Sequence, residues 1–154
     1  MAIRIHEATA NDAPLVGTLI HKLICEIAPQ AADDISLDAY QTCAARLLAQ
    51  NDRYWALIAA GPDDAPIGLL TLNECAAIYA GGRFGEIPEL YVAPSHRSQG
   101  VAADLMRAAI AFAKQRDWSR LEVGVPDLPR WQRTVDFYLR EGFVEVGPRL
   151  KYLL

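Results

Sequence analysis

Cysteine is scarce: Cys25, Cys43 and Cys75 are the only three in 154 residues, an odd number at wide spacing. That excludes a disulfide framework and a cysteine-based metal site, and the apolar neighbours of each thiol predict reduced cysteines in a core, as in a cytoplasm. No apolar run reaches the ~18 residues that a membrane span needs. The first thirteen residues carry Arg4, Glu7 and Asp12 and leave no apolar stretch for a secretory signal. Basic excess is missing too: Lys plus Arg number 15 against 19 Asp plus Glu, a net of −4, so neither nucleic acid nor a membrane surface is an expected partner. There is no G-x-G-x-x-G, no G-x-x-x-x-G-K-[ST] and no G-x-S-x-G, which disfavours dinucleotide binding, nucleotide hydrolysis and serine catalysis. His6, His21 and His96 have no partners at metal or triad spacing, so no metal is expected.

What is present is a chain 52% hydrophobic and 22% charged, enough to build one core, and at roughly 150 residues per domain it reads as a single domain over 1–154. Residues 3–8 alternate as a strand. Asn11 or Asp12 caps a helix with Pro14 in its first turn and Leu15, Leu19, Leu23 and Ile27 along one face, ended by Pro29. An acidic loop, 31–34, follows, and Ser36 opens a second helix. Residues 54–60, 67–77 and 84–92 read as three strands of an antiparallel meander, with an irregularity expected at Pro88 because proline removes a ladder donor. A heavily packed helix is predicted over 99–116, a strand over 121–125, a helix over 130–140 ended by Gly142, and a final strand pair, 143–146 with 150–153.

The most informative stretch runs from Glu89 through Leu-Tyr-Val-Ala-Pro-Ser-His to Arg97-Ser-Gln-Gly100-Val-Ala102. A strand ends, turns, and opens a helix through a glycine. Unpaired N–H groups at a helix N-terminus, a glycine that lets backbone approach closely and a cation at Arg97 together make a cradle for a pyrophosphate. The plain alternative is a surface turn.

With Asp136-Phe-Tyr138-Leu-Arg-Glu-Gly142-Phe143 further on, this R-x-x-G-x-A turn resembles the GNAT superfamily of acetyl-CoA-dependent N-acetyltransferases, and the element order resembles it over nearly the whole chain. The resemblance implies an α/β fold of α+β type, a mixed, mostly antiparallel central sheet of about six to seven strands flanked by about four helices. It implies acetyl-CoA as co-substrate, with Arg97, Ser98, Gln99, Gly100, Val101 and Ala102 around the pyrophosphate and Leu90, Tyr91 and Val92 along the strand end. The Val92 amide would polarise the thioester carbonyl, and Tyr138 would protonate the departing thiolate. One departure from the family pattern is the stretch 125–132, Val-Pro-Asp-Leu-Pro-Arg-Trp-Gln, in place of a shorter, asparagine-bearing segment.

Acyl transfer to an amine needs a proton acceptor, because an amine with a pKa of ~10.4 is almost wholly protonated at pH 7. Glu86 and Glu89 are the candidates. Glu86 shares strand parity with Val92 and is slightly favoured, unless a bulge at Pro88 reverses the parity. Either could act through water, and either could be only a solvated strand carboxylate. The absence of an evident catalytic cysteine favours direct transfer.

Charge is unevenly spread. Up to Val92 there are 5 basic and 12 acidic residues, a net of −7, and from Ala93 onward 10 basic and 7 acidic, a net of +3. The basic half contains the phosphate loop and Arg130 and Arg133, of which Arg133 is expected to contact coenzyme A. Asp33, Asp34 and Asp38 lie where, by the resemblance, the acceptor is bordered, which points to a cationic amine. The partners expected are acetyl-CoA and an amine acceptor, with a homodimer as an open state of assembly. The alternatives are a non-catalytic acyl-CoA-binding sensor or assembly module, and an interaction protein whose loop is a plain turn.

Overall fold

The computed structural model describes residues 2–50 and 52–154. In chain order the elements are β1 (Arg4–Glu7), α1 (Ala13–Ile27), α2 (Pro29–Asp34), α3 (Leu37–Leu48), β2 (Tyr54–Ala60), β3 (Pro66–Ala77), β4 (Gly82–Ile87), β5 (Leu90–Val92), α4 (Val101–Gln115), β6 (Leu121–Val123) and α5 (Gln132–Arg140). By its internal contacts the chain divides into two compact units, Met1–Glu122 and Val123–Leu154.

In the first unit the strand order is β1-β2-β3-β4-β6, with β5 also paired to β3. The pairs β1–β2, β2–β3, β3–β4 and β3–β5 are antiparallel. The bonds Ser119 N–H to Arg83 O and Gly85 N–H to Arg120 O advance in the same direction on both chains, so β4 and the β6 segment run parallel. The sheet is therefore mixed and mostly antiparallel, as the family resemblance implied. Every residue of β2 is buried, since both faces of the sheet are covered. On one face Tyr54, Ala56, Ile58, Leu69 and Tyr91 pack with Val16 and Leu19 of α1 and Ala44 and Leu48 of α3. On the other, Trp55 stacks with Phe112 of α4 and with Trp118, ring centroids 5.1 and 5.8 Å away. Gly17 lets α1 and α3 approach: a Cβ there would stand 2.5 Å from Gln41 Cα.

Local sequence accounts for most boundaries. Ser36 accepts from the Ala39 N–H at 3.2 Å and starts α3. Asp12 does not cap α1 with its side chain; its carboxylate reaches back to the Thr9 N–H at 2.7 Å, and that bond holds its pKa below the usual carboxylate value. Three expectations are corrected. Pro29 ends α1 but also begins the six-residue α2, so the acidic stretch 31–34 is helical; proline suits a first turn as well as it stops a preceding one. The cysteines are free, but Cys25 and Cys43 are exposed and Cys75 is half-buried, because helix periodicity turns Cys25 and Cys43 off the stripes that face the sheet. The expected C-terminal strand pair is absent: Val144, Val146, Leu150 and Tyr152 are all more than two-thirds exposed and form no ladder, with Gly147 and Pro148 between the two runs. Alternation makes a segment able to be a strand, but a strand needs a partner edge.

No helix among the described residues is long and apolar enough to cross a membrane.

Candidate active site

The site is built on a break in the third strand of the meander. Asn73 of β3 pairs with Glu86 of β4, whereas Leu70 of β3 pairs with Leu90 of β5, so three residues, Ile87, Pro88 and Glu89, oppose the two residues Leu72 and Thr71. This is a one-residue bulge at Pro88, which has no N–H to give a ladder. It reverses parity beyond it. Glu86 lies opposite Asn73 and Glu89 opposite Thr71, both on the face covered by α1 and α3, while Val92 pairs with Gly68 and turns to the other face. The sequence expectation that Glu86 and Val92 share a face is thus overturned by the extra residue.

Beyond the bulge, Thr71 N–H donates to Glu89 O at 3.0 Å and Ala93 N–H to Ile67 O at 2.9 Å. In an antiparallel ladder the residues between such bonds point their backbone groups away from the partner, so the N–H and C=O of Leu90 and Val92 face outward from β3. Among the described residues β5 pairs only with β3, and on its other edge the Val92 carbonyl accepts from Arg97 Nε at 3.0 Å. Tyr91, by contrast, is 4% exposed, with its side chain turned into the core and its N–H and C=O facing β3.

From Val92 the chain passes through a short turn, Pro94–His96, to Gly100 and α4. Gly100 has φ +87°, a left-handed conformation suited to glycine, and a Cβ built on it would meet no atom within 4 Å. The space before the first turn of α4 is open, and the first N–H groups of a helix have no partner within it. Residues 98–102 thus surround the N-terminus of α4 with room beside Gly100, an arrangement of backbone N–H groups that is compatible with a pyrophosphate. Arg97 is placed differently. Its Nε donates to Val92 O at 3.0 Å, and its terminal nitrogen donates to both carboxylate oxygens of Glu26 on α1, at 2.8 and 2.7 Å. It ties the strand end and its loop to α1, with its charge already countered.

Glu89 is the most enclosed of the candidate carboxylates. Thr71 Oγ1 and, at 3.3 Å, Tyr54 Oη donate to its Oε2. Burial pushes its pKa above the usual carboxylate value, against the pull of these two hydrogen bonds and with help from the nearby Glu86 charge. Glu86 is half-buried, with Cys75 Sγ 3.7 Å from its Oε2. Sequence reasoning passed over Thr71, Tyr54 and Glu26, whose contacts span 18, 35 and 71 positions along the chain; no local signal could have found them.

In the second unit, the stretch 125–131 has neither helix nor strand, and α5 follows it. Tyr138 is 6% exposed, with ring centroids 5.5 Å from Phe137 and 5.7 Å from Phe143, and burial pushes its pKa up to about 12. Arg133 lies in the first turn of α5, and Arg130, just before the helix, stacks over Trp131 at 5.2 Å.

The family model described as Acetyltransferase (GNAT) family matches residues 18–143, which takes in the bulge, the loop and α5. The chain belongs to the GNAT acetyltransferase family. GNAT members use acetyl-CoA, in keeping with the open turn before α4. Solved structures with the same fold include a GCN5-related N-acetyltransferase from Ralstonia eutropha JMP134, at TM-score 0.82 and 19% identity, covering 99% of each chain. A ribosomal-protein-alanine N-acetyltransferase from Brucella melitensis biovar Abortus 2308 matches at TM-score 0.72 and 22% identity, over 100% of this chain and 99% of its own. An aminoglycoside acetyltransferase from an uncultured soil metagenomic sample, in complex with sisomicin, matches at 0.80 and 20%, over 99% and 96%. No curated protein matches the sequence.

Proposed function

We propose that this GNAT protein transfers the acetyl group of acetyl-CoA to a primary amine by direct attack in a ternary complex. The observation that carries the reading is the outward edge of β5, which turns the Val92 N–H away from β3, one loop away from the N-terminus of α4 and three residues from an enclosed carboxylate. The family match crosses the division at 122/123, which supports reading both compact units as one N-acetyltransferase domain over 1–154.

The backbone N–H groups of residues 98–102 hold the pyrophosphate, and Leu90 offers its outward backbone groups, and Val92 its N–H, along the rest of the co-substrate. Arg133 supplies a further cation. Acetyl-CoA, when bound, supplies the activated acyl group. Glu89 takes a proton from the acceptor ammonium so that a nitrogen lone pair is available, and the new N–C bond forms as the C–S bond breaks. Val92 N–H donates to the carbonyl oxygen as charge gathers there. Tyr138 gives its hydroxyl proton to the leaving sulfur, and the second proton shed by the acylated nitrogen returns to its phenolate. Glu89 lies about 10 Å along the strand from Val92 at ~3.3 Å per residue, a distance that a water between carboxylate and amine bridges. A cationic acceptor suits Asp33, Asp34 and Asp38, which are exposed on α2 and the first turn of α3. Aminoglycosides and ribosomal-protein alanine, the acceptors named for the two solved proteins above, are the amines to try first.

Glu89 is favoured over Glu86 because its environment is enclosed and its carboxylate is held. Glu89→Gln is expected to lower turnover by about a hundredfold or more, the scale of general-base loss, while Glu86→Gln stays within about threefold of the parent. Thiol release from acetyl-CoA with each acceptor measures this; the reverse ranking would give the role to Glu86. Binding of acetyl-CoA without thiol release on any amine would instead mark an acyl-CoA-binding module.

A further inference from the structure

Thr71 is 0% exposed and is the one buried polar residue among the described residues. A hydroxyl taken out of water needs hydrogen bonds to justify its place, and the bonds that Thr71 makes are specific. At the bulge, Glu89 N–H donates to Thr71 Oγ1 at 3.1 Å, in the place where a regular ladder would offer a main-chain carbonyl. The same hydroxyl then donates to Glu89 Oε2. One side chain therefore closes the bulge and grips the carboxylate that follows it. From β2, Tyr54, 7% exposed and opposite Asn73, donates to the same Oε2 at 3.3 Å. Both bonds fall on one oxygen, so the carboxylate is pinned on that side and able to take a proton on the other. Closing the bulge would need only the first of these bonds.

We propose that Thr71 and Tyr54 are positioning residues that hold Glu89 by Oε2 so that its other oxygen receives the proton of the acceptor amine. This inference rests on the reading of Glu89 as the base. The charged and titratable groups around the pair are few. Glu86 of β4 acts on Glu89 directly, and Cys75 of β3 touches Glu86. Cys43 of α3 acts on Tyr54. From β5, Tyr91 adds a ring whose own charged neighbours are Glu26 and Arg97. The apolar residues that α1 and α3 pack against this face include Val16, Leu19, Ala44 and Leu48. In that setting the two hydroxyls are the principal groups favouring the ionised form of Glu89, and removing either makes the carboxyl hold its proton to higher pH.

The experiment is the pH dependence of kcat/KM for thiol release from acetyl-CoA, with the full chain and the best acceptor among spermidine, sisomicin and an alanine-terminated peptide. The acceptor's own titration is common to all variants and cancels in the comparison. Thr71→Val keeps the shape and removes the hydroxyl; it is expected to move the acid limb up by about one pH unit, the size of one lost hydrogen bond to a charged group. Tyr54→Phe is expected to move it up by about half a unit, given its longer bond, and Thr71→Ser to restore the parent limb. The KM for acetyl-CoA stays unchanged in all three. A 13C titration of the Glu89 carboxyl should report the same shifts without turnover. If Glu89→Gln keeps full turnover, the base reading fails and this one with it. If Glu89→Gln is inactive but Thr71→Val and Tyr54→Phe both keep the parent limb, the positioning role alone is overturned. Should Thr71→Val not fold, Tyr54→Phe against Thr71→Ser decides the question.

Discussion

At the scale of single residues, the two buried tyrosines Tyr54 and Tyr138 differ in partner. Tyr54 has its pKa raised by burial and by Glu89, and its hydroxyl is engaged by that carboxylate. Burial alone raises Tyr138 to about 12, so it keeps its proton throughout the physiological range and has one to give. Tyr138→Phe is expected to lower kcat by tenfold or more with acetyl-CoA affinity unchanged, since the phenyl ring keeps the packing with Phe137 and Phe143 and only the proton is lost. Steady-state kinetics beside a binding titration check it; an unchanged kcat rejects the acid role. The reactivity of Glu89 should fall as pH drops through its raised pKa, because the protonated carboxyl accepts nothing. Arg97 is the residue whose type was legible and whose partner was not. A guanidinium near a phosphate loop reads as a phosphate ligand, yet its bidentate bond to Glu26 depends on where α1 passes, 71 positions earlier.

At the scale of elements, β5, its loop and α4 act together. The strand, the turn and the helix over 99–116 were legible because a proline, a glycine and a strong apolar periodicity mark them locally; α4 begins at Val101, directly after Gly100. Substituting Gly100→Ala forces a Cβ into a left-handed backbone, at about 1–2 kcal/mol, and shifts the N–H groups proposed to hold the pyrophosphate. Acetyl-CoA affinity is expected to drop about tenfold or more with a small change in melting temperature, measured by calorimetry and thermal shift. An affinity equal to the parent's would assign the loop a purely structural role. The bulge was legible only as an irregularity, because Pro88 announces a missing donor but not the extra residue that reverses parity. The C-terminal runs show the opposite failure. Their alternation is genuine, but no edge among the described residues receives them.

For the whole molecule, the uneven charge is the widest-ranging feature. The −7 carried up to Val92 and the +3 carried from Ala93 follow the chain, and the loop proposed to receive the pyrophosphate lies in the basic part. An anionic co-substrate and a cationic acceptor fit that division. Across a panel of polyamines, aminoglycosides, amino acids and peptide N-termini, kcat/KM is expected to be at least tenfold higher for multiply charged cations than for neutral amines, with the advantage falling as salt rises. Preference for neutral or acidic acceptors would refute it. The family and the order of elements were readable because both rest on short-range patterns: apolar periodicity, turn residues and two local motifs.

The sequence by itself determined the family, the meander and the helices α1, α3, α4 and α5, and which residue types could do acyl-transfer chemistry, since each of these depends on neighbours a few positions apart. Only the tertiary structure decided that the bulge puts Glu86 and Glu89 on one face, that Thr71 and Tyr54 grip Glu89, and that Arg97 is paired with Glu26. The reason is physical. Register and burial come from strands and helices far apart in the chain, and a single inserted residue in one strand turns every later side chain to the other face.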